Sequence, residues 1–182
     1  MRRLRYLSLL PGLGLACLLL AAAPTAHAAT ASVTPADTTV FLGSNFSIRV
    51  ESDAFPDLKA YQLIFRYDST VLQYLGATAG DVLTGTGQPY TVQQLPDVEL
   101  PADTAGVDCA SLIGSTSGPG VLIYFNFKAI LVGTSPLACL TVDYRDSANN
   151  QTLPACVPGA IHVTIPVPTD RTTWGRVKTI YR

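Results

Sequence analysis

Short apolar runs along the chain are broken at regular intervals by Gly, Pro, Asp and Asn, the spacing of β-strands and tight turns. Residues 61–67, Tyr-Gln-Leu-Ile-Phe-Arg-Tyr, alternate: Leu63, Phe65 and Tyr67 fall on one face, Gln62, Ile64 and Arg66 on the other. Further strands are expected over 40–50, with partial alternation around Gly43, and over 71–75, 137–144 and 160–167. Residues 90–94 are polar and read as a weak or edge strand. The longest apolar stretch, 121–132, has room for three helical turns. Yet Val121, Ile123, Phe125, Phe127 and Ala129 alternate with Leu122, Tyr124, Asn126 and Lys128. β-branched and aromatic residues dominate, Pro119-Gly120 precedes them, and a strand is preferred. Residues 95–106 are proline-rich and acidic and 111–120 rich in Ser and Gly, and both read as surface loops. Prolines from Pro35 to Pro158 suit turns and strand ends, where a missing N–H does little harm. Together these segments predict an all-β sandwich.

The first 28 residues follow a different pattern. Arg2, Arg3 and Arg5 precede an apolar run over 7–23 and then Ala26-His27-Ala28, the layout of a secretory signal peptide cleaved after Ala28. Cys17 lies inside that run, with Leu18, Leu19 and Leu20 beyond it, whereas a lipid-modified cysteine should end the run. Removing 28 of the 182 residues leaves 154, enough for one domain, placed at 29–166 and followed by a short tail at 167–182. The remaining nine basic and thirteen acidic residues give a net charge of −4 without a basic run, which argues against nucleic acid or an anionic membrane as partner. No later stretch is long and apolar enough to span a bilayer. The expected location is outside the cell or on its surface.

Secretion places Cys109, Cys139 and Cys156 where disulfides form, and three cysteines allow one intrachain bridge. The polar run 143–151 reads as a hairpin loop centred near residue 147, and Cys139 and Cys156 are nearly equidistant from it. They are expected as cross-strand partners and a disulfide, two buried free thiols being the alternative. Cys109 is then free or pairs with another chain.

Catalytic constellations are absent from the pattern. The mature chain has a single histidine, His162, flanked by Ile161 and Val163 in an expected strand, so no base stands ready beside a serine or cysteine nucleophile. Gly114-Ser115-Thr116-Ser117-Gly118 has threonine where a nucleophile elbow needs serine. Asp143, Asp146 and Asn149 have the spacing of a calcium loop, but its glycine position holds Ala148 and its closing glutamate position Pro154. No cofactor is called for, and a looser calcium site in a loop stays open.

Residues 61–83 resemble cohesin modules. In that family a strand ends in Tyr-Asp, as at Tyr67-Asp68, a short turn leads to Val-Leu, as at Val71-Leu72, and a Gly-Asp-apolar-Leu ending follows, as at 80–83. Leu42-Gly43-Ser44-Asn45 lies where the family has a Gly-Asp turn before its second strand. The family's Gly-x-Leu strand with Phe-Lys-Ala is similar to 120–129, its Gly-x-Ser-x-Leu to 133–137, and its closing Gly-x-Ile-x-Val to 159–163. The ordered match spans about 32–166. It implies a nine-stranded jelly-roll β-sandwich without catalytic machinery, and a protein partner, of dockerin type in cellulosomes, held on one sheet face. Gln62, Ile64 and Arg66 are the candidates for that face. The chain departs from the cellulosomal pattern in having one module, no dockerin-like duplicated calcium loop, and cysteines.

Two rivals remain. A carbohydrate-binding module would stack a polysaccharide on aromatic rings, with Tyr61, Tyr67, Tyr90, Tyr124 and Tyr144 as candidates. A structural component of a surface layer is the other. In the tail, Trp174, Val177 and Tyr181 fall on one helical face, interrupted by Gly175. That segment reads as a frayed end or a helical turn folded onto the sandwich, or as a docking peptide offering Trp174 and Tyr181 to a partner.

Overall fold

The structure is a computed structural model that describes residues 29–95 and 103–166. The expected signal peptide at 1–28, and the tail with Trp174 and Tyr181, lie outside the described residues.

The described chain begins with β1 (Thr30–Thr34) and β2 (Asp37–Phe41), separated at Pro35, which has no N–H to offer a ladder. A tight turn follows, with Gly43 at φ 83° and Ser44 Oγ donating to Phe41 O at 2.6 Å. The stretch 40–50, expected as one strand, is therefore the end of β2 and the start of β3 (Asn45–Leu58), because Gly43 takes the left-handed conformation that reverses the chain. β4 (Ala60–Arg66) and β5 (Leu72–Ala79) follow, then one helical turn, α1 (Asp81–Thr84). β6 (Tyr90–Gln94) is the polar edge strand. β7 (Thr104–Ser111), β8 (Thr116–Ala129) and β9 (Gly133–Arg145) form the middle of the molecule. β10 (Gln151–Thr152), β11 (Ala155–Val157) and β12 (Gly159–Thr164) end it.

Two expected loops are corrected here. Thr104, Ala105 and Gly106 belong to β7, a strand paired on both sides, and residues 116–120 extend β8 toward its start. Their Gly, Ala, Ser and Thr residues carry little β signal alone; pairing with β4 and β3 holds them extended.

The strands form two sheets, one ordered β11-β1-β3-β8-β5 and the other β2-β12-β9-β4-β7-β6, with β10 beside β9. Neighbours are antiparallel except β1 with β11 and β2 with β12, which are parallel. Taking β1 and β2 as one strand and setting aside the two short strands β10 and β11 leaves the nine of the expected jelly roll. Among the described residues no helix is long and apolar enough to cross a membrane.

The core lies between the sheets. β8 contributes Leu122, Ile123, Phe125 and Phe127, and β4 contributes Tyr61, Leu63 and Phe65 from the opposite side, all buried. Phe65 meets Phe125 edge-on at 5.6 Å, and Tyr67 meets Phe127 edge-on at 5.3 Å. The Tyr61 hydroxyl donates to Leu122 O at 2.6 Å, a polar tie between the two sheets. Beside it on β7, Cys109 is a free, buried thiol. Burial pushes that thiol up to about 12, the Asp108 charge adds to the effect, and a hydrogen bond with Tyr61 opposes it.

Cys139 and Cys156 form a disulfide with Cα atoms 6.3 Å apart. The geometry behind the bond differs from the expected hairpin. β10 pairs with β9 only through Gln151–Arg145 and Thr152–Tyr144, after which the chain leaves β9 and crosses to the other sheet, where Cys156 lies beside Ala31 of β1. The bond thus links strands of the two sheets.

Two outcomes follow from this packing. Replacing both Cys139 and Cys156 with alanine should lower the free energy of unfolding in urea by about 3 kcal/mol, the loop-closure value for cysteines 17 residues apart; an unchanged denaturation midpoint would contradict the stapling role. At pH 8 the native protein should leave Cys109 unlabelled by iodoacetamide, since a thiol near 12 is ionised to only about one part in ten thousand. Labelling should appear once the chain is unfolded in guanidinium, and rapid labelling of the native state would refute the buried assignment.

Candidate binding face

Strand alternation puts Gln62, Ile64 and Arg66 on the outer face of the β9-β4-β7-β6 sheet, opposite the buried Tyr61, Leu63 and Phe65. The register aligns side chains from four strands across this face. One row runs Gln93, Asp108, Gln62, Asp143. Gln62 Nε2 donates to Asp108 Oδ1 at 2.8 Å. Asp143 Oδ2 accepts from Arg145 Nη2 at 3.0 Å and from Gln151 Nε2 at 2.8 Å. The neighbouring row is Thr91, Ala110, Ala60, Arg145, and its two alanines leave a hollow of about 390 Å³ between the longer polar side chains.

Asp143 has an unusual position on this surface. Its side chain is only 15% exposed, and Oδ1 is buried without a hydrogen-bond partner. A carboxylate oxygen held in this way costs free energy until a donor reaches it. Asp143 also lines the hollow.

A third row adds apolar surface. Ile64 pairs with Thr141, but Phe65 pairs with Cys139, so Leu140 is the extra residue of a β-bulge. Leu140 interrupts the alternation and is 41% exposed on the outside of a strand whose Leu137 and Val142 point inward. Ile64 and Leu140 thus lie next to each other beside the polar row, with exposed Arg66 at the end of β4.

Other candidates have different surroundings. His162 is half-buried on β12, with Nδ1 3.0 Å from Thr134 Oγ1 across the ladder. In the loop with calcium-like spacing, Asp146 accepts from Asn150 N and Asn150 Nδ2, each at 2.7 Å, and the Asn150 bonds hold its carboxyl below the usual range. Asp143 turns instead to the sheet face, so the loop's carboxylates are not gathered, and the described residues contain no cluster of three or more His, Cys, Asp or Glu suited to a metal. Tyr61 and Tyr144 are buried and Tyr67 packs on Phe127. Tyr90 is exposed at the sheet edge, and Tyr124 is half-buried on the other sheet beside Arg49 and Thr78. These tyrosines make no shared aromatic platform.

Sequence reading named the outward β4 residues but not the Asp108, Arg145 and Leu140 that lie beside them, and it took Asp143 only as part of the loop. The alternation of Val107, Asp108 and Cys109 was a usable signal, masked by the glycine and alanines around it. Leu140 had none, because a bulge breaks the period of two that such reading relies on.

No family model and no curated protein matches the chain in sequence. Solved structures do match its fold. A non-cellulosomal cohesin from the archaeon Archaeoglobus fulgidus is 17% identical, with 76% of this chain and 92% of that chain covered at a TM-score of 0.61. The sixth cohesin of scaffoldin B from Acetivibrio cellulolyticus, solved in complex with a dockerin, is 18% identical, with coverage of 76% and 100% and a TM-score of 0.62. A cohesin module from a family 33 glycoside hydrolase of Clostridium perfringens is 12% identical, with coverage of 76% and 98% and a TM-score of 0.62. At such identities the likeness is one of architecture: the described chain has the fold of a cohesin module.

Proposed function

We propose that the chain is a secreted, non-catalytic binding module that holds a protein partner on the outer face of the β9-β4-β7-β6 sheet, for attachment or assembly outside the cell. The observation that carries this reading is exposed Leu140 next to half-buried Ile64, beside the hydrogen-bonded polar row of this face. A partner covering this face would bury the two apolar side chains, while the Gln62–Asp108 and Asp143–Arg145 bonds hold the polar groups in place. Several of the structural neighbours were solved in complex with dockerins, which supports a dockerin-like partner. The leader pattern at 1–28 and the disulfide suit an oxidising, extracellular setting.

The hollow gives the carbohydrate reading its one specific support, since Gln62, Gln93, Asp108 and Arg145 offer polar groups to sugar hydroxyls. The tyrosine positions weaken that reading, because a sugar face would find no ring to stack on there.

Residues 29–182, immobilised and challenged with the source organism's secreted and envelope fractions, should retain a discrete protein. The Leu140→Asp variant should retain it at least about tenfold less well with an unchanged melting temperature, because the side chain is already exposed. Undiminished retention by that variant would remove the contact from this face. Retention of members of a polysaccharide panel, with no protein captured, would replace the protein reading with the carbohydrate one.

A further inference from the structure

The end of the sandwich at the start of β9 exposes an apolar surface separate from the sheet face. Phe41 and Leu42 close β2, Ile130, Leu131 and Val132 form the turn from β8 to β9, and Ile165 follows β12. Backbone hydrogen bonds hold these three segments side by side. Leu42 N donates to Thr164 O and Gly43 N to Ala129 O, each at 2.8 Å, while Gly133 pairs with Val163. Ile130 N and Leu131 N both donate to Val71 O, at 2.9 and 3.3 Å, which fixes the turn against the start of β5. Each of the six side chains is 43% to 60% exposed. Together they present on the order of 500 Å² of apolar surface, at the upper end of what a monomer leaves bare.

We propose that this surface is the docking site for the chain's own residues 167–182, with Trp174 as the main anchor. The segment continues from Ile165-Pro166, so its tether begins within the surface itself. The eight residue steps from Pro166 to Trp174 reach up to roughly 27 Å when extended, enough to place the indole over any of the six side chains. A tether this short gives an effective concentration in the millimolar range, so modest contact suffices for occupancy. The segment supplies matching chemistry in Trp174, Val177, Ile180 and Tyr181. The charge balance matches as well: residues 167–182 carry four basic side chains against one acidic, and residues 29–166 carry five basic against twelve acidic.

Trp174 is the only tryptophan in the sequence, so its fluorescence reports on this docking directly. In the chain 29–182 its emission should be blue-shifted relative to a free peptide of residues 167–182. Acrylamide should quench it about threefold less efficiently, as for a largely covered indole. Neither property should change on dilution. Leu131→Asp, at an exposed turn position, should return both to the free-peptide values. Leu153→Asp, also exposed and at the opposite end, should leave both unchanged and so control for general effects of the added charge. Free-peptide emission in the unmodified chain would overturn the proposal. So would a blue shift that fades on dilution together with a dimer in sedimentation, which would make the occupant a second copy.

Discussion

The inner face of β8 is the contact on which the two sheets depend. Leu122, Phe125 and Phe127 are buried there, and the two phenylalanines meet Phe65 of β4, Tyr67 just after it and Tyr74 of β5. Because strand alternation has a period of two, fixing Leu63 and Phe65 of β4 against this layer fixes Gln62 and Ile64 outward. The polar row on the outer face is thus in register with the core beneath it. Tyr61 shows the coupling at one residue: its ring fills the core, its hydroxyl donates to Leu122 O of the opposite sheet, and its neighbour Gln62 lies within the polar row.

The two faces of that sheet are built differently. Inside, aromatic and aliphatic side chains exclude water, and Cys109 is buried among them. Outside, small residues alternate with long polar ones, and hydrogen bonds between side chains hold Asp108 and Asp143 in fixed orientations. Preorganisation of this sort lowers the conformational entropy that a partner's arrival must overcome. The bulge at Leu140 adds apolar area to an otherwise polar face without disturbing the inward Leu137 and Val142.

The sequence made the strands with strong alternation legible. β4 and β8 stand close to where their Leu, Ile and Phe residues placed them, and the polar composition of β6 identified an edge. What escaped were features set by pairing rather than by local preference. β7 contains Gly106, Asp108 and three small residues, and it is a strand because β4 and β6 flank it. The division of the first strand at Pro35, and the turn at Gly43, each depend on two sheets competing for one segment. The cysteine pair was found by a symmetry argument about a hairpin, yet the hairpin lasts only two residue pairs. Proximity of Cys139 and Cys156 comes instead from the crossing of the chain between sheets, which no local pattern encodes. On the outer face of that sheet, the outward β4 residues were readable from alternation and their neighbours on β7 and β9 were not, because a face spanning strands distant in sequence is a property of register.

The parallel pairing of β2 with β12 bears on how the module would behave under tension. Thr38 lies beside Ile161 and Phe41 beside Thr164, so the strand near the start of the described chain and the strand near its end run in the same direction. A pull applied at residue 29 and residue 166 draws these two strands along their length in opposite senses. Their ladder is then loaded in shear, with its hydrogen bonds resisting together, whereas an antiparallel pair gripped at one end would peel open one bond at a time. A module hung between two anchors would therefore resist extension at the pairing of β1 with β3 and β11 and then, in shear, at β2 and β12, the opposite edge of the sheet from β6.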